Sequence, residues 1–137
     1  MSYLLDTNVI SEIRKPKADH NVQIWLSTVR GTDLFLSVLV LGEIRQGIER
    51  LRPRDPRRAA VFEGWLAKLR RDHADRIVAV SDEVAEEWGR MNAMQPLPVV
   101  DALMAATAKT RGWTYVTRNT RHVERTGARL LNPFAPR

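Results

Sequence analysis

"SYLLDTNVISE", residues 2–12, sets how the rest of the chain is read. Tyr3-Leu4-Leu5 is an apolar triplet suited to a short buried strand. Asp6-Thr7-Asn8 interrupts it, and Val9 to Arg14 then suits a helix stopped by Pro16. A strand running straight into a helix opens a crossover, and the alternation recurs downstream. Leu34-Phe35-Leu36, Ile77–Val80, Trp113–Thr117 and Ala128–Leu131 read as further strands. Helices are expected over 22–30, 38–51 and 57–71. Their stripes, such as Leu41, Ile44, Ile48 and Leu51, follow the spacing of one helix face. Another helix follows a cap at Ser81 or Asp82, and one more lies between Pro98 and Gly112, deeply buried. A short one is expected over 119–125. Strands separated by helices need crossover connections. The fold class is therefore α/β, a single domain over 1–137 with a central, mainly parallel sheet flanked by helices.

In such sheets a site forms beyond the carboxyl ends of the strands. Asp6 follows the first strand, Ser37 the second, and Thr117-Arg118-Asn119 the fourth. Two more carboxylates stand out. Glu43 lies one step off the Leu41, Ile44, Ile48 stripe, and alone it reads as well as a solvated charge. Asp101 is the only polar residue from Pro96 to Ala106. A buried carboxylate is expensive, yet an Asp in a first helical turn is also stabilised by the helix dipole. Together the three change the balance. Clustered carboxylates repel unless protons or cations intervene, and all-oxygen clusters suit Mg²⁺ or Mn²⁺.

The chain has no Cys, which excludes disulfides, thiolate catalysis and Cys-based zinc sites. No apolar run approaches a membrane span, and the start lacks the pattern of a signal peptide, so a cytoplasmic protein is expected. The net charge of +6 favours a polyanionic partner, and equally fits a basic surface kept for solubility. A basic chain with an acidic metal pocket points to phosphodiester chemistry.

The blocks "LLDTNVISE", "LSVLVLGEIRQGIERL", "LPVVDALMAATA" and "YVTRNTRHVERTGARLLNPF" together resemble PIN-domain proteins, in particular VapC-type toxins and their FitB-like branch. The resemblance spans essentially the whole chain. It implies a Mg²⁺-dependent endoribonuclease with Asp6, Glu43 and Asp101 as metal-binding acids. Thr7, Asn8, Ser37, Thr117 and Asn119 are the polar helpers it implies. It also implies an antitoxin protein of the VapB type, whose segment lies over grooves between toxin helices, a homodimer, and operator DNA bound through the antitoxin. One position departs from the pattern. The last block usually reads T-R-N-x-x-D-F, and here His122 stands where the fourth acid is expected. With one acid fewer, a single metal is expected in the free protein.

Arg14, Lys15, Arg45, Arg118 and Arg121 are candidate RNA contacts, each also readable as an ordinary exposed cation. Trp25, Trp65 and Trp88 sit on apolar stripes and are expected in the core. Two other functions fit the same sequence: a catalytically weak RNA-binding or regulatory PIN protein, and a housekeeping RNA-processing nuclease.

Overall fold

The computed structural model describes residues 1–136. Five strands form the sheet: β1 (Tyr3–Leu5), β2 (Leu34–Ser37), β3 (Ile77–Val78), β4 (Thr114–Val116) and β5 (Arg129–Leu131). Six helices flank it: α1 (Thr7–Ile13), α2 (His20–Ser27), α3 (Val38–Leu51), α4 (Pro56–Asp72), α5 (Asp82–Met94) and α6 (Val99–Arg111). No helix is long and apolar enough to cross a membrane.

The strand order is β3-β2-β1-β4-β5, and every pairing is parallel. The chain builds outward from β1 through β2 to β3, then returns to place β4 on the other side of β1. The carboxyl ends of β1 and β4 therefore flank the point where the order reverses. Crevices of parallel sheets open at such points. Beneath it lies an apolar core. Leu4, Leu5, Leu36, Val116, Ala105 and Trp25 are among its buried side chains.

Local chemistry explains where the elements begin and end. Asp6 caps α1 by accepting from the Thr7 N–H, so the helix starts two residues before its apolar pattern does. Asp55 caps α4, with Pro56 in the first turn, where its missing N–H costs nothing. Gly112 closes α6 at φ 69°, a left-handed conformation suited to glycine.

Several expected bounds shift: the helix over 22–30 is His20–Ser27, and the strands over 113–117 and 128–131 are Thr114–Val116 and Arg129–Leu131. The strand over 77–80 stops at Val78, because β2 turns into α3 after Ser37 and leaves Ala79 and Val80 no partner. The helix over 119–125 shrinks to one 3-10 turn, Thr120–His122, whose cap makes no side-chain hydrogen bond. The helix from Val99 is deeply buried only in its middle, Ala102 and Met104–Ala108, since Val99 is 58% exposed and Lys109 and Arg111 are exposed as well.

Candidate active site

Asp6 sits between β1 and α1, against the end of β4, and its N–H donates to the Val116 carbonyl at 2.9 Å. Its carboxylate is buried and fully engaged. Oδ1 accepts from the Thr7 N–H at 2.7 Å. Oδ2 accepts from the Thr117 hydroxyl at 2.6 Å and the Asn8 amide at 3.2 Å. Such donors favour the ionised form. Burial outweighs them, and with the charge of Asp101 it lifts the pKa above the usual aspartate value.

Thr7 joins this acid to the next. Its N–H serves Asp6, and its hydroxyl donates to Glu43 Oε1 at 2.5 Å. Burial raises the Glu43 pKa, the Thr7 hydrogen bond opposes that rise, and the charges on Asp6 and Asp101 add to it. Glu43 lies on the α3 flank beside buried Ile44, which half-buries it and turns it toward α1.

Asp101 lies in the first turn of α6. Its Oδ2 stands 3.2 Å from His122 Nδ1, and its side chain is 23% exposed. The residue that departs from the family pattern is thus in direct contact with an acid of the pocket. Asn8 also ties the loop after β4 to α1, its Oδ1 accepting from the Arg118 N–H at 3.3 Å. Two expected helpers have other work. The buried Ser37 hydroxyl caps α3 by accepting from the Leu39 N–H, and Asn119 donates its backbone N–H to the Thr117 hydroxyl oxygen.

Tyr115 was not legible as a site residue. Its hydroxyl is buried beside Asp6 and Thr117 without a well-formed hydrogen bond to either. Burial, followed by the charges of Asp6 and Asp101, raises its pKa. In the sequence it was one apolar residue of a strand, and only its proximity to Asp6 distinguishes it.

Among the described residues, no three acidic or histidine side chains converge as a ready-made metal cage. Glu43 is turned to Thr7, and Asp101 to His122. The donor chemistry nevertheless fits a hard divalent cation. Asp6 and Glu43 are disfavoured as anions by burial and by neighbouring carboxylates, and a cation relieves both penalties.

The family model of the PIN domain matches residues 3–128. This chain belongs to the PIN-domain family. It is 29% identical to VapC ribonuclease Y4jK of Sinorhizobium fredii, over 97% of this chain and 98% of that protein. It is 28% identical to Toxin FitB of Neisseria gonorrhoeae, over 96% and 97% respectively. The crystal structure of FitAcB from Neisseria gonorrhoeae superposes with a TM-score of 0.86 at 28% identity, covering 98% of this chain and 99% of that one.

Around the acids of this PIN domain, most candidate RNA-binding cations already have partners. Arg14 stacks over Phe62 at 4.4 Å and Trp65 at 5.4 Å. Lys15 pairs with Glu12, and Arg118 lies over Phe134. Arg45 pairs with Glu49 within α3 and joins α3 to α4 through Glu63, and together with Arg52 it holds the Glu63 carboxyl pKa down to about 2. Arg121 alone of the five lines a cavity next to the acids. Trp25 is a core residue, whereas Trp65 is only half-buried. With Phe62, Ile44, Ile48 and Leu51 it lines an apolar cavity of about 230 Å³ that reaches Thr7 and Glu43.

Proposed function

We propose that this PIN domain is a divalent-metal-dependent endoribonuclease, the toxin of a toxin–antitoxin pair acting in the cytoplasm. The observation that carries the reading is the linkage of Asp6 and Glu43 through Thr7, with Asp101 close enough to oppose the ionisation of both. The likeness to proteins named ribonuclease and toxin supports it.

Asp6, Asp101 and Glu43 are the residues that would hold Mg²⁺ or Mn²⁺. Such an ion supplies an activated water and neutralises developing charge on a phosphate. The chain's own residues do the rest. Thr7, Asn8 and Thr117 fix the Asp6 carboxylate in one orientation, so little reorganisation is left for the reaction. Glu43 Oε1 is held by Thr7, and its other oxygen is available to orient the attacking water and accept its proton. A raised pKa suits that task better than an ordinary carboxylate. His122 stands beside Asp101, placed to donate toward the phosphate.

The partner is an antitoxin whose segment fills the apolar groove between α1, α3 and α4 and ends at Glu43. FitAB bound to an IR36 DNA fragment is a solved neighbour at 27% identity and TM-score 0.87. The same reading has operator DNA bound through the antitoxin and the protein as a homodimer.

The test uses labelled RNA with purified protein, in Mg²⁺ and in excess EDTA. Cleavage only with metal, and its loss in Asp6→Asn, is the expected result. Cleavage that survives EDTA overturns the metal reading. Expression alone should arrest growth, and the small neighbouring gene should restore it; unaffected growth refutes the toxin role. His122 in place of the fourth acid favours a second reading, a catalytically weak RNA-binding PIN protein. Tight RNA binding without cleavage at any metal concentration would select it.

A further inference from the structure

A second cavity, of about 210 Å³, adjoins the acid pocket on the far side of His122. It is lined by Gln95, Leu97, Arg121, His122, Glu124 and Arg125. The segment joining α5 to α6 forms one wall, and the 3-10 turn after β4 with the residues following it forms the other. Five of its six lining residues are polar, in contrast to the apolar groove at Glu43.

Two observations point to what it holds. The first is the state of its arginines. Elsewhere in the chain Arg45, Arg52, Arg76 and Arg90 are ion-paired, and Arg14, Arg58, Arg111 and Arg118 lie over aromatic rings. Among the described residues, Arg121 and Arg125 share with exposed arginines such as Arg70 and Arg71 the lack of either kind of partner, but these two line one cavity together. With Glu124 opposing them, the lining carries a net charge of +1 (two guanidinium groups and one carboxylate). That matches the single negative charge of a phosphodiester, and a guanidinium presents paired donors that fit phosphate oxygens. The second observation is His122. Its Nδ1 contacts Asp101 while His122 also lines this cavity, so one residue borders both sites.

We infer that this cavity is a second phosphate subsite, in which Arg121 and Arg125 hold the backbone phosphate next to the one being cleaved. The inference rests on the ribonuclease reading for its substrate, but binding can be measured without cleavage. Holding a neighbouring phosphate fixes the line along which the strand crosses the acids. It also makes the enzyme dependent on a linkage beyond the scissile bond. His122 couples the two, since one side chain meets both the catalytic acid and the subsite.

The experiment measures binding of a short labelled RNA to the Asp6→Asn protein in EDTA, so that neither metal nor cleavage intervenes. Neutral methylphosphonates replace the backbone phosphates one at a time. Arg121→Gln/Arg125→Gln is compared with Arg70→Gln/Arg71→Gln, which removes the same charge from exposed α4 positions. The first pair should weaken binding about tenfold, as expected for losing charge-assisted hydrogen bonds, and lower the salt slope by about 0.7 for each phosphate no longer held. One methylphosphonate position should reproduce that weakening in the parent protein and add nothing in the Arg121/Arg125 variant. Equal weakening in the α4 control, or undiminished methylphosphonate sensitivity in the variant, overturns the subsite. If the cycle behaves as expected while wild-type protein with Mg²⁺ cuts no RNA, the ribonuclease reading fails and the phosphate subsite stands.

Discussion

Thr117→Val replaces a hydroxyl by a methyl of nearly the same shape at the floor of the pocket. Thr117 is 1% exposed. Its hydroxyl donates to Asp6 Oδ2 at 2.6 Å and accepts from the Asn119 N–H at 3.1 Å. Losing a hydrogen bond to a buried carboxylate costs about 1.5–3 kcal/mol, and losing the neutral one about 0.5–1.5 kcal/mol. Burial of the added methyl offsets part of this, leaving an expected net loss of about 2–3 kcal/mol. For a chain of this size that lowers Tm by about 8–12 °C. The bond lowers the Asp6 pKa, so its contribution is present while Asp6 is ionised and fades as pH falls through the Asp6 titration. The gap between wild type and variant should therefore narrow in acid. Urea unfolding of both proteins, repeated in an Asp6→Asn background, measures it. With no charge on residue 6, Thr117→Val should cost only about 1 kcal/mol, a coupling of about 1–2 kcal/mol. An equal cost in both backgrounds, or a gap that does not change with pH, would refute the claim that Thr117 serves the Asp6 charge.

Glu43→Gln bears on the same electrostatics from the other side. Burial and neighbouring charges raise the Glu43 pKa. Its contribution to stability is therefore fully present below the ordinary glutamate value of 4.5 and lost as pH rises through the raised one. Thermal unfolding in EDTA should fall less steeply with pH for the Gln variant, whose remaining slope comes from Asp6; parallel curves would contradict the assignment. His122→Asp should add a second Mg²⁺ equivalent in a calorimetric titration, because a fourth carboxylate compensates the repulsion between two ions; an isotherm matching wild type would mark His122 as a bystander. Gly112→Ala meets only an ordinary 3.7 Å contact with Arg129 but must hold φ 69°, so it should cost about 1–2 kcal/mol in urea unfolding. A neutral result would mean that the α6 terminus relaxes.

The α/β class, and the order in which strands and helices follow one another, were set by local pattern. Tyr3-Leu4-Leu5, a short apolar run giving way to polar residues, suits a buried strand, and the α3 stripe follows the spacing of one helix face. Asp6, Glu43 and Asp101 stand out in the sequence as candidates for a related reason. Each is a charge attached to an apolar element, and that mismatch needs a compensating role. The tertiary structure decided what depends on distance through space. Strand order brought Thr117 to Asp6 across 111 positions of sequence, and the α1–α3 packing brought Thr7 to Glu43 across 36. The β1–β4 pairing brought the buried Tyr115 hydroxyl beside Asp6, and contacts between other elements engaged Arg14, Arg45 and Arg118 with the chain's own rings and carboxylates. Periodicity records which face of an element avoids water. It carries no record of which polar group waits on the neighbouring element, because a hydrogen bond between distant residues leaves no mark on the local hydrophobic pattern of either.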